Sequence, residues 1–159
     1  MSGDLSGDLR VIWTGSRHWG DPRWIRVDMG LMAFHAYRMG RRLVMVHGAH
    51  WTGVDLHVKT WCDEQEDLRR FGWLVEEPYP ANWARYRKGA GPIRNGVMVA
   101  KGGDLCLAYP KGESSGTRGC AQLARDALIP TLVTEWGPTV ATTLESRLRA
   151  AGITILEGS

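Results

Sequence analysis

No apolar run in this 159-residue chain approaches the roughly 18 residues that a membrane-crossing helix needs, so no membrane segment is expected. Cysteine is scarce. Cys62, Cys106 and Cys120 are odd in number and form no CxxC pair, so neither a disulfide framework nor a structural zinc site is expected, and a reducing cytoplasm is the expected compartment. The first residues, Met1-Ser2-Gly3-Asp4-Leu5-Ser6-Gly7-Asp8, are polar and acidic and have no signal-peptide or transit-peptide pattern. They read as a flexible lead-in, residues 1–8, before a single domain over residues 9–159. Charge of one sign is also nearly absent in excess. The formal net charge is +3, too little to argue for nucleic acid on charge alone. The basic residues look scattered, without a long stripe. Lysine is rare, 4 against 16 arginines, and arginine is the better fork for phosphate.

What is present is a globular composition, 43% hydrophobic and 23% charged, which excludes disorder as the main state. Short apolar runs alternate with helical patterns. Strands are expected at Leu9–Trp13, Leu43–Val46, about Trp73–Glu77, Asp104–Tyr109, Thr131–Val133 and Ile153–Leu156. Between them Asp21-Pro22 reads as a helix start with Pro at the first helical position, and Gly40 as its stop. Val54, Val58, Trp61, Cys62 and Leu68 mark a second helix face. Residues 78–92 read as a long irregular loop, with a short helix from Ile93 or Arg94. Gly116-Thr117 opens a helix with Cys120, Ala121, Ala124 and Leu128 inward. Pro138 opens a last one with Val140, Leu144, Leu148 and Ala151 inward. This alternation predicts an α/β fold, a Rossmann-like three-layer sandwich with a mainly parallel sheet. Ligands of such sheets sit at the carboxyl ends of the strands, near a topological switch point.

The unusual residues cluster at four such strand ends. After the first strand come Gly15, Ser16 and Arg17, a tight exit followed by anion-suited groups. After the second, His47, Gly48, Gly53 and Asp55 belong to a loop whose two glycines bracket candidate phosphate-binding amides. It is neither a GxGxxG fingerprint nor a P-loop. The histidines His47, His50 and His57 match no zinc spacing, so no metal is expected. The third group is Trp83, Gly91, Pro92, Arg94 and Asn95. Arg94 suits a phosphate, Asn95 a ribose hydroxyl or a backbone group, and Trp83 with Tyr86 a base. The fourth is Ser115, Gly116 and Thr117, where Ser115 or Thr117 can cap a helix and free amides can meet an anion. Each loop alone is compatible with ordinary turn and cap chemistry; the convergence of four is what points to a ligand.

At these motifs the chain resembles the SLOG superfamily, in particular the YspA-like, YpsA-related branch of small bacterial and phage proteins. The matching residues are VIWTGSR at 11–17, VHGAHWTGVD at 46–55, PANW at 80–83, KGAGPIRNGVM at 88–98 and LAYPKGESSGT at 107–117, with Ile129-Pro130 before the fifth strand. The resemblance implies a Rossmann-like fold and a nucleotide-derived ligand, a nucleoside phosphate, an ADP-ribose-like compound or a signalling nucleotide. No other cofactor is implied. Related LOG phosphoribohydrolases carry a PGGxGTxxE motif with a catalytic glutamate. Aligned through Gly116-Thr117, that position here is Cys120, and the preceding loop is longer. The resemblance therefore implies a sensor or sequestering protein before it implies LOG chemistry.

Two alternatives stand beside that expectation. One is a nucleoside-phosphate N-glycosidase or related hydrolase using Asp55 or Glu113, the latter only if its loop folds back onto the site. The other is single-stranded nucleic acid binding, as in the SLOG-related protein DprA, which the modest charge does not favour. Homo-oligomerisation, which related folds achieve through helices, stays open.

Overall fold

Five strands carry the fold: β1 (Asp8–Gly15), β2 (Arg42–His47), β3 (Leu74–Pro78), β4 (Leu105–Tyr109) and β5 (Thr131–Val133). A computed structural model describes residues 7–137 and 142–156. The strands form one sheet in the order β3-β2-β1-β4-β5, and every pairing is parallel. The chain moves outward from β1 to β3, then crosses back to place β4 on the other side of β1. The boundary between β1 and β4 is thus the switch point where the carboxyl ends diverge and leave a crevice.

Side-chain alternation along the strands builds two cores. Leu9, Val11, Trp13, Leu43, Met45, Leu105, Leu107 and Tyr109 face one way. They pack against α1 (Arg23–Arg38), α2 (Gly53–Glu64) and α7 (Leu144–Ala150) through residues such as Met29, Met32, Val58, Trp61 and Leu148. Ile12, Val44, Val46 and Cys106 face the other way, against Met98 and Val99 of α5 (Ala90–Ala100) and Cys120 and Ala124 of α6 (Ser115–Asp126). The architecture is the three-layer, Rossmann-like α/β sandwich. Both sheet faces are covered, which is why the central strands read as continuous apolar runs. Among the described residues no helix is long and apolar enough to cross a membrane.

Several local expectations are corrected. β1 begins at Asp8, inside the expected lead-in, because Asp8 pairs with Arg42 in the ladder and its carboxylate also meets the Arg42 guanidinium. Pro22 is the N-cap of α1 rather than its first residue, and the Asp21 carboxylate instead accepts from the Arg23 amide. Leu68 lies beyond α2, next to it on the short α3 (Glu66–Arg70). Residues 78–92 are not one irregular loop. They hold α4 (Trp83–Tyr86), a 3-10 turn (Arg87–Gly89) and the start of α5 at Ala90. Pro92 fits the first turn of α5 because the amide it lacks has no partner there in any helix.

At the other end of the chain, α6 stops at Asp126, so Leu128 falls outside the helix at φ 62° and is 90% exposed instead of inward. The last helix starts at Leu144 with Thr143 accepting from the Ser146 amide. Leu144 and Leu148 are buried as expected, Ala151 is exposed, and Pro138 and Val140 lie outside the described residues. Residues 153–156 do not form a sixth strand. Ile153, Ile155 and Leu156 instead lay their side chains on the α1 side of the core.

Candidate ligand cleft

A cleft of about 700 Å³ opens at the carboxyl ends of β1, β2 and β4, within the range of small-molecule sites. Of the residues singled out from sequence, Gly15, Ser16, Arg17, Gly48, Asp55, Trp83, Gly91, Pro92, Arg94, Asn95, Ser115, Gly116 and Thr117 all line it. His47 and Gly53 do not. His47 is buried at the end of β2, where Nδ1 accepts from the Ala49 amide. Its Nε2 points toward Glu76 Oε2 at 3.5 Å. Burial pushes the His47 imidazolium down from its ordinary pKa, against the pull of Asp55 and Glu76. Gly53 sits behind the wall at φ 70°, where a Cβ would overlap the Ser16 carbonyl and come within 2.6 Å of Arg17 Cα. Both residues shape the loops from outside the cleft.

The β1 exit is braced on three sides. The Ser16 amide donates to the Tyr109 carbonyl at 3.0 Å, and its own carbonyl accepts from Trp19 and Val54 amides. Its hydroxyl accepts from the His18 amide at 3.0 Å, leaving one O–H donor for a ligand. Gly15 is required by close approach: a Cβ there would overlap Val54 Cγ2 and lie 2.7 Å from Val54 Cβ. Arg17 is exposed, with its guanidinium 5.1 Å over the Trp83 ring, so the β1 exit and α4 meet where both line the cleft.

Arg94 differs from the expectation of a free phosphate fork. Its Nη1 donates to the Gly48 carbonyl and, at 3.4 Å, to the Tyr79 carbonyl, while Nε donates to Asn95 Oδ1 at 2.8 Å. Nη2 takes part in none of these bonds and remains for a ligand. Burial lowers the guanidinium's pKa, partly offset by Asp55, and the group stays charged at any working pH. Asn95 in turn donates to the Gly116 carbonyl at 3.4 Å, tying α5 to the start of α6. Asp55 Oδ2 accepts from the His50 amide at 3.0 Å.

The start of α6 opens on the cleft. Ser114 is the N-cap in a left-handed conformation and no side chain caps the helix. Its hydroxyl donates to Thr117 Oγ1. Neither Ser115 nor Thr117 acts as the cap, because the helix already begins at Ser115. The first-turn amides therefore lack an intrahelical partner, and a Cβ on Gly116 would meet nothing within 4 Å. Lys88, Lys111, His18, His50 and Glu113 also line the cleft. Lys88 stands beside Arg94 in the stretch that holds the third group of sequence candidates, whereas Lys111, His18 and His50 carry no spacing signal that would mark them as ligand groups. Burial, Arg17 and Arg94 hold the His50 imidazole below its ordinary pKa, against the pull of Asp55. Four cations, Arg17, Lys88, Arg94 and Lys111, thus face two carboxylates, Asp55 and Glu113.

Cys120 is buried in the second core with Ile12, Val46 and Met98. Burial pushes its thiol up to about 11, although Thr14 and Arg94 pull it back, so it is a poor base near neutrality. Among the described residues no three His, Cys, Asp or Glu side chains gather as a metal site.

No family model matches the chain. It is 36% identical over 124 residues to the gene 61 protein of Mycobacterium phage D29, covering 77% of this chain and 94% of that protein. The chain belongs to the family of that phage protein. Among solved structures, an N,N'-diacetylchitobiose deacetylase from Pyrococcus horikoshii aligns with 95% of this chain and 71% of its own, at 12% identity and a TM-score of 0.37. A likeness at that level carries no argument about chemistry.

Proposed function

We propose that the protein binds a nucleotide-derived ligand in this cleft, as a sensor or a sequestering protein. The observation that supports this reading best is the convergence of an uncapped α6 N-terminus with Arg17, Lys88, Arg94 and Lys111 on one cleft. Backbone amides at a helix start and a surplus of cations suit phosphate. Trp83 on the rim offers a face for a base. A thermal-shift screen over nucleoside phosphates, ADP-ribose and cyclic nucleotides tests it. At a ligand concentration 100 times the dissociation constant, linkage predicts roughly 2.7 kcal/mol, or about 5–10 °C for a domain of this size. No shift at millimolar ligand would count against the proposal.

The hydrolase reading has one observation of its own. The 111–114 loop does fold back, so Glu113 lines the same cleft as Asp55. Two carboxylates facing one ligand are what a glycosidic cleavage would need. Chromatographic detection of free base after incubation with nucleoside monophosphates decides between binding and hydrolysis. Release that Glu113→Gln or Asp55→Asn abolishes would establish the enzyme.

A further inference from the structure

Two buried polar atoms outside the cleft face each other without bonding. His47 Nε2 and Glu76 Oε2 lie 3.5 Å apart, beyond the usual N–H···O range. Among the described residues neither atom has a hydrogen-bond partner. On the other side of the ring, Nδ1 accepts from the Ala49 amide at 3.0 Å. A ring nitrogen that accepts carries no proton, so the neutral imidazole holds its proton on Nε2. The ring thus has one partner for each protonation state, the Ala49 amide for the neutral form and the Glu76 carboxylate for the charged one. A proton on Nδ1 would set two N–H donors against each other. Ala49 sits at φ 57°, a left-handed conformation that a residue with a Cβ disfavours, so the segment relaxes once that bond is lost. Its two neighbours serve the cleft: the Gly48 carbonyl seats Arg94, and the His50 amide donates to Asp55 Oδ2.

We infer that His47 is a proton-operated latch behind the cleft: the neutral ring holds the 48–50 segment, and the protonated ring leaves the Ala49 amide for Glu76 and releases it. The surroundings set the direction. Burial opposes the imidazolium most and Lys59 of α2 opposes it too, while Asp55 of α2 and Glu76 of β3 favour it, so the closed latch takes up a proton only below the ordinary histidine range. From α5, Arg94 brings a further cation to the Gly48 carbonyl. Burial, with Glu76 and Asp63, pushes the Cys62 thiol up to about 12, so it stays neutral. Once opened, the ring has its ordinary pKa. The open form then holds one more proton than the closed form between the two values, and opening gains up to about tenfold per pH unit as pH falls through that window. That acid would also release a nucleotide rests on the reading of the cleft as a nucleotide site; the opening of the loop does not.

Nuclear magnetic resonance of the ligand-free protein, from about pH 7.5 to about pH 5, tests it. At the upper end His47 Nδ1 is expected to show the nitrogen shift of an unprotonated ring position and Nε2 that of a protonated one. As His47 takes up its second proton, the Ala49 and His50 amides should lose about tenfold of their protection from hydrogen exchange, after correction for the intrinsic rate. The midpoint should match that of the ring. His47→Gln has no titrating ring, and the pH dependence of both amides should vanish. Glu76→Gln keeps the neutral contacts and should move the midpoint to lower pH, because the charged partner of the imidazolium is gone. A ring protonated on Nδ1 at the upper end, or one still neutral at the lower end, would overturn the inference. So would unchanged protection of either amide, the same loss in His47→Gln, or a midpoint that Glu76→Gln leaves in place.

Discussion

The Arg94 guanidinium rests on the carbonyl of Gly48, and it can do so because Gly48 has no side chain. A Cβ there would lie 2.6 Å from Arg94 Cζ and 2.9 Å from Asp55 Oδ2, and would overlap Nη1. One missing methyl group therefore lets a cation from α5 and a carboxylate from α2 both come close to the β2 exit.

Gly48→Ala should displace Arg94 from that carbonyl. The fold is expected to survive with a loss of about 1–3 kcal/mol from overpacking. Arg94→Ala should weaken a bound nucleotide by about 1.5–3 kcal/mol, the range for hydrogen bonds to charged groups. Arg94→Lys should recover only part, because an ammonium cannot reproduce the fork that serves Gly48, Asn95 and ligand together. Calorimetric titration of all three variants checks this. Unchanged affinity in Arg94→Ala would remove Arg94 from the ligand site.

Gly116 gives the opposite case. A methyl group there meets open space, and alanine in a helix is favoured over glycine by about 0.5–1 kcal/mol. Gly116→Ala is expected to keep or raise stability while lowering nucleotide affinity, because the new methyl occupies the cleft beside the α6 amides. Urea midpoints and the ligand-induced thermal shift, measured on the same samples, separate the two effects.

Gly53 and Gly112 both have positive φ, 70° and 67°, but their surroundings differ. Nothing lies within 4 Å of a Cβ on Gly112, whereas one on Gly53 would run into the Ser16 and Arg17 backbone. Gly112→Ala should cost about 1–2 kcal/mol from conformation alone. Gly53→Ala should cost more by about 1–3 kcal/mol, since backbone cannot swing aside. Equal urea midpoints for the two variants would contradict the packing seen at the β1 exit.

Asp28 and Arg147 hold α7 onto α1. Arg147 donates to Asp28 Oδ1 at 2.6 Å, and Tyr109 donates to Oδ2 at 2.8 Å. Burial raises the Asp28 pKa in spite of Arg147. The folded protein therefore holds that proton more tightly than the unfolded chain. The stabilisation from Asp28 is full below the ordinary carboxylate range and is lost as pH rises through its raised folded pKa. Arg147→Met removes a group that lowers this pKa, so the loss deepens with pH. The variant should be destabilised by about 3–5 kcal/mol at pH 7, as for a buried charge left unpaired, and by less near pH 4. Urea unfolding at both pH values checks it; an equal penalty would mean that packing alone is lost.

The alternation of strands and helices, the parallel sheet and the four loops that line the cleft were all legible in the residues. Periods of two and 3.6 are local properties, and Gly, Ser and Arg at strand exits report local backbone demands. Only the tertiary structure decided what those side chains do. Arg94 reads as a free phosphate fork and Asn95 as a group for a ribose hydroxyl or the backbone, yet Arg94 Nη1 donates to the Gly48 and Tyr79 carbonyls and Asn95 Nδ2 to that of Gly116, 15 to 46 residues away. The start of α5 at Ala90 was hidden by Gly91 and Pro92, which look like loop until Ala90 is seen buried and Gly91 lies against Trp83. Leu128 fits a helical period but falls beyond the helix end, and Ile153–Leu156 has strand composition but lies against the core without forming a strand. Lys111 and His50 carry no spacing signal, and it is the crossover between β1 and β4 that gathers them with Arg17 around one cleft. Composition and periodicity act over a few residues, whereas hydrogen-bond partners and charge neighbours depend on which loops the sheet order brings together.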